Sequence, residues 1–170
     1  DTISFYDEFA SQVFNMTKNA DDYIVQPIGR VENVSKVVSD VANIYAISRT
    51  KSELYIFDKV QAKLLNVITL DKKPTDIIKY DNKLYILCSK DGFIDVYDTI
   101  EAKLISREKV GDGAFYSKMT LIPNEKNILL TGSNVKDYII YNLETMKITK
   151  KQESYIDVSN IVILEKNWSL

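Results

Sequence analysis

The chemistry open to this chain is limited first by its side-chain inventory. Its 170 residues include no histidine and a single cysteine, Cys88. Ser-His-Asp triads, Cys-His pairs, imidazole zinc sites and thiolate metal clusters are therefore excluded. Neither the P-loop nor the dinucleotide glycine fingerprint occurs, and the one close glycine pair, Gly111-Asp112-Gly113, is not followed by a phosphate-binding helix. No cofactor and no metal are expected. Carboxylates remain the only acid-base candidates. Asp7, Asp58 and Asp98 recur after the same kind of aromatic step. An aspartate repeated once per structural unit reads as a turn-former, which hydrogen-bonds its own backbone, rather than as a catalyst. No catalytic residue is expected.

What is left is charge that can meet a partner. Six cations, Arg49, Lys51, Lys72, Lys73, Lys90 and Lys136, are the candidate contact residues, tempered by Asp71, Asp91, Asp112 and Asp137. Asp40, Asp58, Asp81, Asn82, Asn124 and Glu125 form a second, more acidic set. Whether each set shares one surface depends on the elements that carry it.

Those elements are strands. Leu84–Ile105 reads as strand, tight turn, strand, tight turn, strand: apolar Leu84–Cys88, then Asp91-Gly92 supplying a positive φ, then alternating Phe93–Tyr97, then Asp98 opening a second turn. Copies hold one register. Ile44-Tyr45, Leu84-Tyr85 and Ile128-Leu129 are spaced by 40 and then 44 residues, as are Phe57-Asp58, Tyr97-Asp98 and Tyr141-Asn142. Such units cannot bury a face alone and must stack.

A period of about 40–45 residues with four strands per unit predicts an all-β fold, a partial β-propeller, with a β-sandwich of regular hairpins as the alternative. Three complete four-stranded blades are expected, at roughly 34–70, 75–110 and 116–151. Residues 1–17 are expected as the last two strands of a preceding blade, because Ile3–Asp7 matches Ile94–Asp98; an amphipathic helix over Phe5–Met16 is the rival. Tyr23–Val31, with Pro27, is expected as loop or an extended edge segment. Residues 157–164 are expected as the first strand of a following blade. The whole of 1–170 then reads as one propeller segment, an excerpt of a larger ring whose remaining blades come from the same or another chain. In that arrangement the six cations share one rim, formed by the turns between second and third strands and the linkers between blades. The acidic set shares the other. The aromatics Tyr6, Phe57, Tyr97 and Tyr141 are expected to pack between blades, while Tyr116, Phe115 and Trp168 are either exposed contacts or packed.

The composition fits an ordered sheet protein: 45% hydrophobic, 11 tyrosines, 5 glycines and 3 prolines. A net charge of −2 gives no overall pull toward nucleic acid. No apolar run has the length of a membrane-spanning helix. One cysteine favours a reducing compartment, hence a cytoplasmic location.

Two families are resembled. The steps Tyr6-Asp7, Phe57-Asp58, Tyr97-Asp98 and Tyr141-Asn142 resemble the Trp-Asp position of WD-repeat proteins, with tyrosine or phenylalanine in place of tryptophan. Thr2–Asp7, Pro27-Ile28-Gly29, Ile47–Phe57, Leu70–Ile77 and Asn82–Leu87 resemble the early blades of the citron-homology propeller of vesicle-tethering subunits in the HOPS and CORVET complexes. This second resemblance implies a non-enzymatic scaffold in a multi-subunit assembly at endomembranes, engaging other subunits, a small GTPase and, peripherally, the membrane. A WD-like subunit of a nuclear ribonucleoprotein complex is one alternative. A carboxylate-based propeller hydrolase or lyase, or a sugar-binding module, is another.

Overall fold

A computed structural model describes residues 2–111, 116–133 and 135–154. Every regular element in it is a strand. These are β1 (Thr2–Asp7), β2 (Gln12–Asn19), β3 (Asp22–Arg30), β4 (Val34–Ser39), β5 (Asn43–Ser48), β6 (Glu53–Asp58), β7 (Lys63–Thr69), β8 (Asp76–Tyr80), β9 (Lys83–Cys88), β10 (Phe93–Asp98), β11 (Lys103–Lys109), β12 (Lys118–Leu121), β13 (Asn127–Thr131), β14 (Asp137–Asn142) and β15 (Lys147–Glu153). They form four antiparallel meanders: β1-β2-β3, β4-β5-β6-β7, β8-β9-β10-β11 and β12-β13-β14-β15. The last three are the blades expected at 34–70, 75–110 and 116–151, here blades 1, 2 and 3. Their first strands β4, β8 and β12 lie side by side. Sheets stacked face to face around adjacent inner strands make the propeller arrangement rather than a two-layer sandwich.

Strand alternation explains the nearly continuous apolar runs. Successive side chains on a strand point to opposite faces, and here both faces are buried. On β9, Leu84, Ile86 and Cys88 pack with Tyr45, Ile47 and Leu54 of blade 1. Tyr85 and Leu87, from the same strand, pack with Met119, Ile128, Leu130, Ile139 and Tyr141 of blade 3. A third core joins Val13, Ile28 and Val31 of the N-terminal sheet to Ile44, Ala46 and Phe57 of blade 1. The repeated aromatics pack between blades, as expected: Tyr141 is fully buried and meets Tyr85 edge-on at 6.2 Å, and the Tyr85 hydroxyl donates to the Leu143 carbonyl at 2.5 Å. Fully burying a side chain of this size contributes about 1.5–3 kcal/mol.

The N-terminal sheet meets one expectation and departs from another. The extended edge segment expected at 23–31 is a strand, β3, on the outer edge of that sheet and beside β7. Pro27 is accommodated because an edge strand has no second partner, and a register shift at Val13/Phe14 lies opposite it. The departure is in β1 and β2, which are not the last two strands of a blade. In the blades, the residue after the fourth strand donates back to the turn between the second and third: Leu70 N to Ser52 O at 2.7 Å, Val110 N to Gly92 O at 2.8 Å, Ser154 N to Lys136 O at 2.6 Å. Val31 N to Ser11 O, 3.1 Å, fits this pattern, but it also fits the bond from the residue after a third strand to the turn between first and second, such as Lys59 N to Ala42 O at 2.8 Å. Chain direction separates the two: Lys59 Nζ donates to both Thr2 Oγ1 and the Asp40 carbonyl, so β1 begins at the end of the sheets where β4 finishes and β5 begins, as a second or fourth strand does. With two strands after it in its own sheet, β1 is a second strand, β2 a third and β3 a fourth, and β1 lies directly beside β4. The helix over Phe5–Met16 is not formed. The strand expected at 157–164 lies outside the described residues.

One close approach fixes β3 against blade 1. A methyl group at Gly29 would sit 2.3 Å from the Phe57 ring, so only glycine lets the backbone come this near.

Candidate functional site

The six cations are carried at one end of the sheets, the upper rim. Arg49 and Lys51 lie between β5 and β6, Lys90 between β9 and β10, Lys136 before β14, and Lys72 and Lys73 in the linker from β7 to β8. The expectation of a shared rim is met. These turns are tightly specified. Ser52 and Gly92 close them in the left-handed region, at φ 54° and 72°. Gly92 N donates to Cys88 O at 2.9 Å.

The rim is less basic than a count of lysines suggests. Lys51 pairs with Glu32 at 3.4 Å and Lys72 with Asp91 at 3.5 Å. Arg49, Lys73, Lys90 and Lys136 are exposed and have no ion pair among the described residues. They are the cations open to a partner. Exposed pairs of this kind contribute at most about 1 kcal/mol and are easily exchanged for a partner's charge.

Ion pairs to buried aspartates hold the rim's frame. Arg107 on β11 grips Asp95, which is 1% exposed, through Nε at 2.6 Å and a terminal nitrogen at 2.8 Å. The same guanidinium reaches Asp71 at 3.1 Å and lies 5.9 Å from the Phe93 ring centre. The linker bearing Lys72 and Lys73 is thus anchored to the outer strands of blade 2. Nearer the axis, Asp76 on β8 joins three sheets. Its carboxylate takes Lys36 Nζ of β4 at 2.6 Å, the Met119 amide of β12 at 2.6 Å and its neighbour Ile77's amide at 2.9 Å.

The lower rim is built differently. The Asp and Asn residues of its turns serve their own backbones: Asp58 accepts from Val60 and Gln61, Asp98 from Ile100 and Glu101, and Asn142 from Glu144 and Thr145. Those repeated acids are turn-formers, as the sequence implies. Burial opposes the charge on Asp40, yet amide bonds from Asn43 and Ala42, the Tyr45 hydroxyl and the Lys79 charge hold its carboxyl below the ordinary 3.8. Burial and that same carboxylate push the Tyr45 hydroxyl up to about 12. Lys59 is buried, which lowers its pKa; its amine donates to Thr2 Oγ1 at 2.8 Å and the Asp40 carbonyl at 3.1 Å. It fastens the lower end of β1 to blade 1.

The corrected register of the N-terminal sheet adds a residue to the upper rim. The β1–β2 turn is a second-to-third-strand turn, so Phe9 stands at the rim that carries Arg49, Lys51 and Lys90. Its side chain is fully exposed, at 105% of the reference area. A phenylalanine at the tip of a four-residue turn is the sequence signal for it. Tyr116 is packed, 1% exposed with its hydroxyl on Asp137 at 2.6 Å; Phe115 and Trp168 lie outside the described residues.

Among the described residues no three His, Cys, Asp or Glu side chains are grouped to hold a metal ion. Burial pushes the Cys88 thiol up to about 12.

No family model and no curated protein matches the sequence. Solved structures do match the fold. Hydrazine synthase of Kuenenia stuttgartiensis superposes with a TM-score of 0.73 at 14% identity, over 89% of this chain and 46% of that one. Apo AztD from Citrobacter koseri gives 0.71 at 12%, over 91% and 45%. The WD40 repeats of RRP9 give 0.63 at 12%, over 76% and 41%. The fold is that of a divergent β-propeller. The chain spans less than half the length of each of these propeller-like neighbours, and at such identities the likeness concerns the fold alone. No helix among the described residues is long and apolar enough to cross a membrane.

Proposed function

We propose that this propeller segment is a non-enzymatic protein-interaction scaffold whose contact surface is the upper rim. The observation that carries the reading is the pairing of four exposed cations without an ion pair among the described residues, Arg49, Lys73, Lys90 and Lys136, with a fully exposed Phe9 on the same edge. An exposed aromatic supplies contact area at low entropic cost, and the cations orient an acidic partner and speed its encounter. The frame beneath them is rigid, so the loops are displayed rather than moulded. The partner class is an acidic protein surface. The likeness of Thr2–Asp7 and Ile47–Phe57 to the citron-homology propeller supports a multi-subunit tethering assembly at endomembranes, with a small GTPase among the partners.

The test is recovery of partners from native cells by the full chain, compared with a variant carrying Phe9→Ser, Arg49→Glu, Lys90→Glu and Lys136→Glu. Tethering subunits and small GTPases retained by the native chain, and lost at least tenfold by the variant, support the reading. Equal recovery by both rules out the upper rim as the contact surface. RNA-associated proteins recovered with a steep salt dependence move the assignment to a ribonucleoprotein assembly.

A further inference from the structure

The lower rim carries apolar side chains that its turns do not need. Val41 is 94% exposed, Val60 80% and Ile100 75%. Val60 and Ile100 occupy one turn position, two residues after Asp58 and Asp98, and blade 3 has Glu144 there. The turn forms around a charged residue too, so its geometry does not call for an aliphatic one. Each tip is firmly placed. The amides of Val60 and Ile100 donate to Asp58 at 2.9 Å and to Asp98 at 2.8 Å, and the Ala42 amide beside Val41 donates to Asp40 at 3.0 Å.

The three tips belong to one patch with Asp40, the neighbour of Val41, at its centre. Lys59, next to Val60, donates its amide to the Ala42 carbonyl at 2.8 Å and its amine to the Asp40 carbonyl at 3.1 Å. Thr99, next to Ile100, reaches the Tyr45 hydroxyl, which donates to the Asp40 carboxylate at 3.0 Å. Lys79 of blade 2 lies 3.5 Å from the same carboxylate. Polar contacts thus fix three aliphatic tips around one group, across the junction of blades 1 and 2. Single exposed aliphatics are ordinary on a surface; three gathered on a rigid rim mark a contact site.

Charge selects the occupant. The acids expected on this rim are balanced around the patch: segments 40–43, 58–63, 79–83 and 98–103 hold five acids and five lysines. Lys79 offsets Asp40, and Lys103 pairs with Glu101. An anionic lipid surface or a strongly charged protein finds no excess to meet. The same face of another copy does fit. A two-fold axis sets a patch against itself, so the patch must be apolar or carry both signs, and this one does both. The upper rim, whose free cations are all of one sign, would repel its own image.

We propose that the lower-rim face bearing Val41, Val60 and Ile100 joins two copies of this chain about a two-fold axis. The proposal concerns the opposite rim from the proposed partner surface and does not depend on it. Pairing in this way turns both upper rims outward. An acidic partner with two matching sites would then be held at two rims, with an avidity beyond that of one.

The chain is examined by light scattering over a concentration series. The expected native species has twice the 19.5 kDa chain mass, at low and at high salt alike. Each substitution enters the interface twice, so Val60→Asp should weaken association roughly a hundredfold, tenfold for each copy. Adding Val41→Asp and Ile100→Asp should leave a monomer. These positions lie outside the cores, and amide exchange at β5 and β9 should be the same in the native and variant monomers. A native chain that stays monomeric up to its solubility limit overturns the proposal, as does a dimer that survives the triple variant. A dimer that is lost in Arg49→Glu with Lys90→Glu, or at high salt, would place the contact on the upper rim and overturn the assignment. Vesicles of neutral phosphatidylcholine are the second probe: a monomer that binds them and a triple variant that does not would give the patch to lipid, and overturn the second copy.

Discussion

Replacing Asp76 by alanine is the sharpest test of how the blades are joined. The side chain is 6% exposed and accepts three hydrogen bonds, two of them from other sheets. Removal orphans the Met119 amide, at a cost of about 1–3 kcal/mol for a buried donor without a partner. Loss of the Lys36 pair adds less than a fully buried pair would, because the Lys36 side chain is 37% exposed and its amine can turn to water. The sum is about 3 kcal/mol. With a urea dependence of about 2 kcal/mol per molar for a chain of this size, the unfolding midpoint should fall by about 1.5 M at unchanged slope. Lys36→Met should cost about 1 kcal/mol, since both amides still hold the carboxylate, and the double variant should show a coupling of about 1 kcal/mol between the two sites. An Asp76→Ala midpoint within 0.5 M (roughly 1 kcal/mol) of native would refute the claim that this carboxylate ties three sheets together.

Two further outcomes are expected. The folded state holds the Asp40 carboxyl below its ordinary 3.8, so the unfolded chain binds the proton more tightly. Stability from this group is present above the ordinary value and lost as pH falls through the folded one; urea titrations between pH 5 and roughly pH 2 should show a shallower pH dependence in Asp40→Asn. The Cys88 thiol, buried and raised to about 12, should resist iodoacetamide at pH 8 in the native chain and react at the rate of a free thiol in denaturant.

The parts of this fold legible in the sequence are those set by short-range chemistry. Asp58, Asp98 and Asn142 announce their turns because an Asx side chain bonds the amides two and three residues on. Leu84–Cys88 announces a strand buried on both faces because it has no polar break. The placement of β1 and β2 was not legible, for a physical reason. The turns after the second and third strands both have four residues and a left-handed fourth residue, at Ser52 and Ala62 in blade 1 and Gly92 and Ala102 in blade 2. Tyr6-Asp7 before such a turn fits either one. What decides is chain direction, which Lys59 sets by binding Thr2 from 57 residues away. Pro27 left loop or edge segment open for 23–31, because the rule against proline holds for central strands, and β3 is at an edge. On the rim, the cations could be placed but not their neutralisation, since Glu32 and Asp91 reach Lys51 and Lys72 from neighbouring loops.

Burial of alternate side chains in two different cores also sets how this molecule comes apart. Blades 1 and 2 each have a packed sheet on both sides. In neighbour-coupled arrays of this kind an interior unit opens only after one flank has gone. Arg49, Lys72, Lys73 and Lys90 therefore stay in place until a flanking sheet has come away, and a partner holding them would keep its grip through the first losses of structure under heat or force.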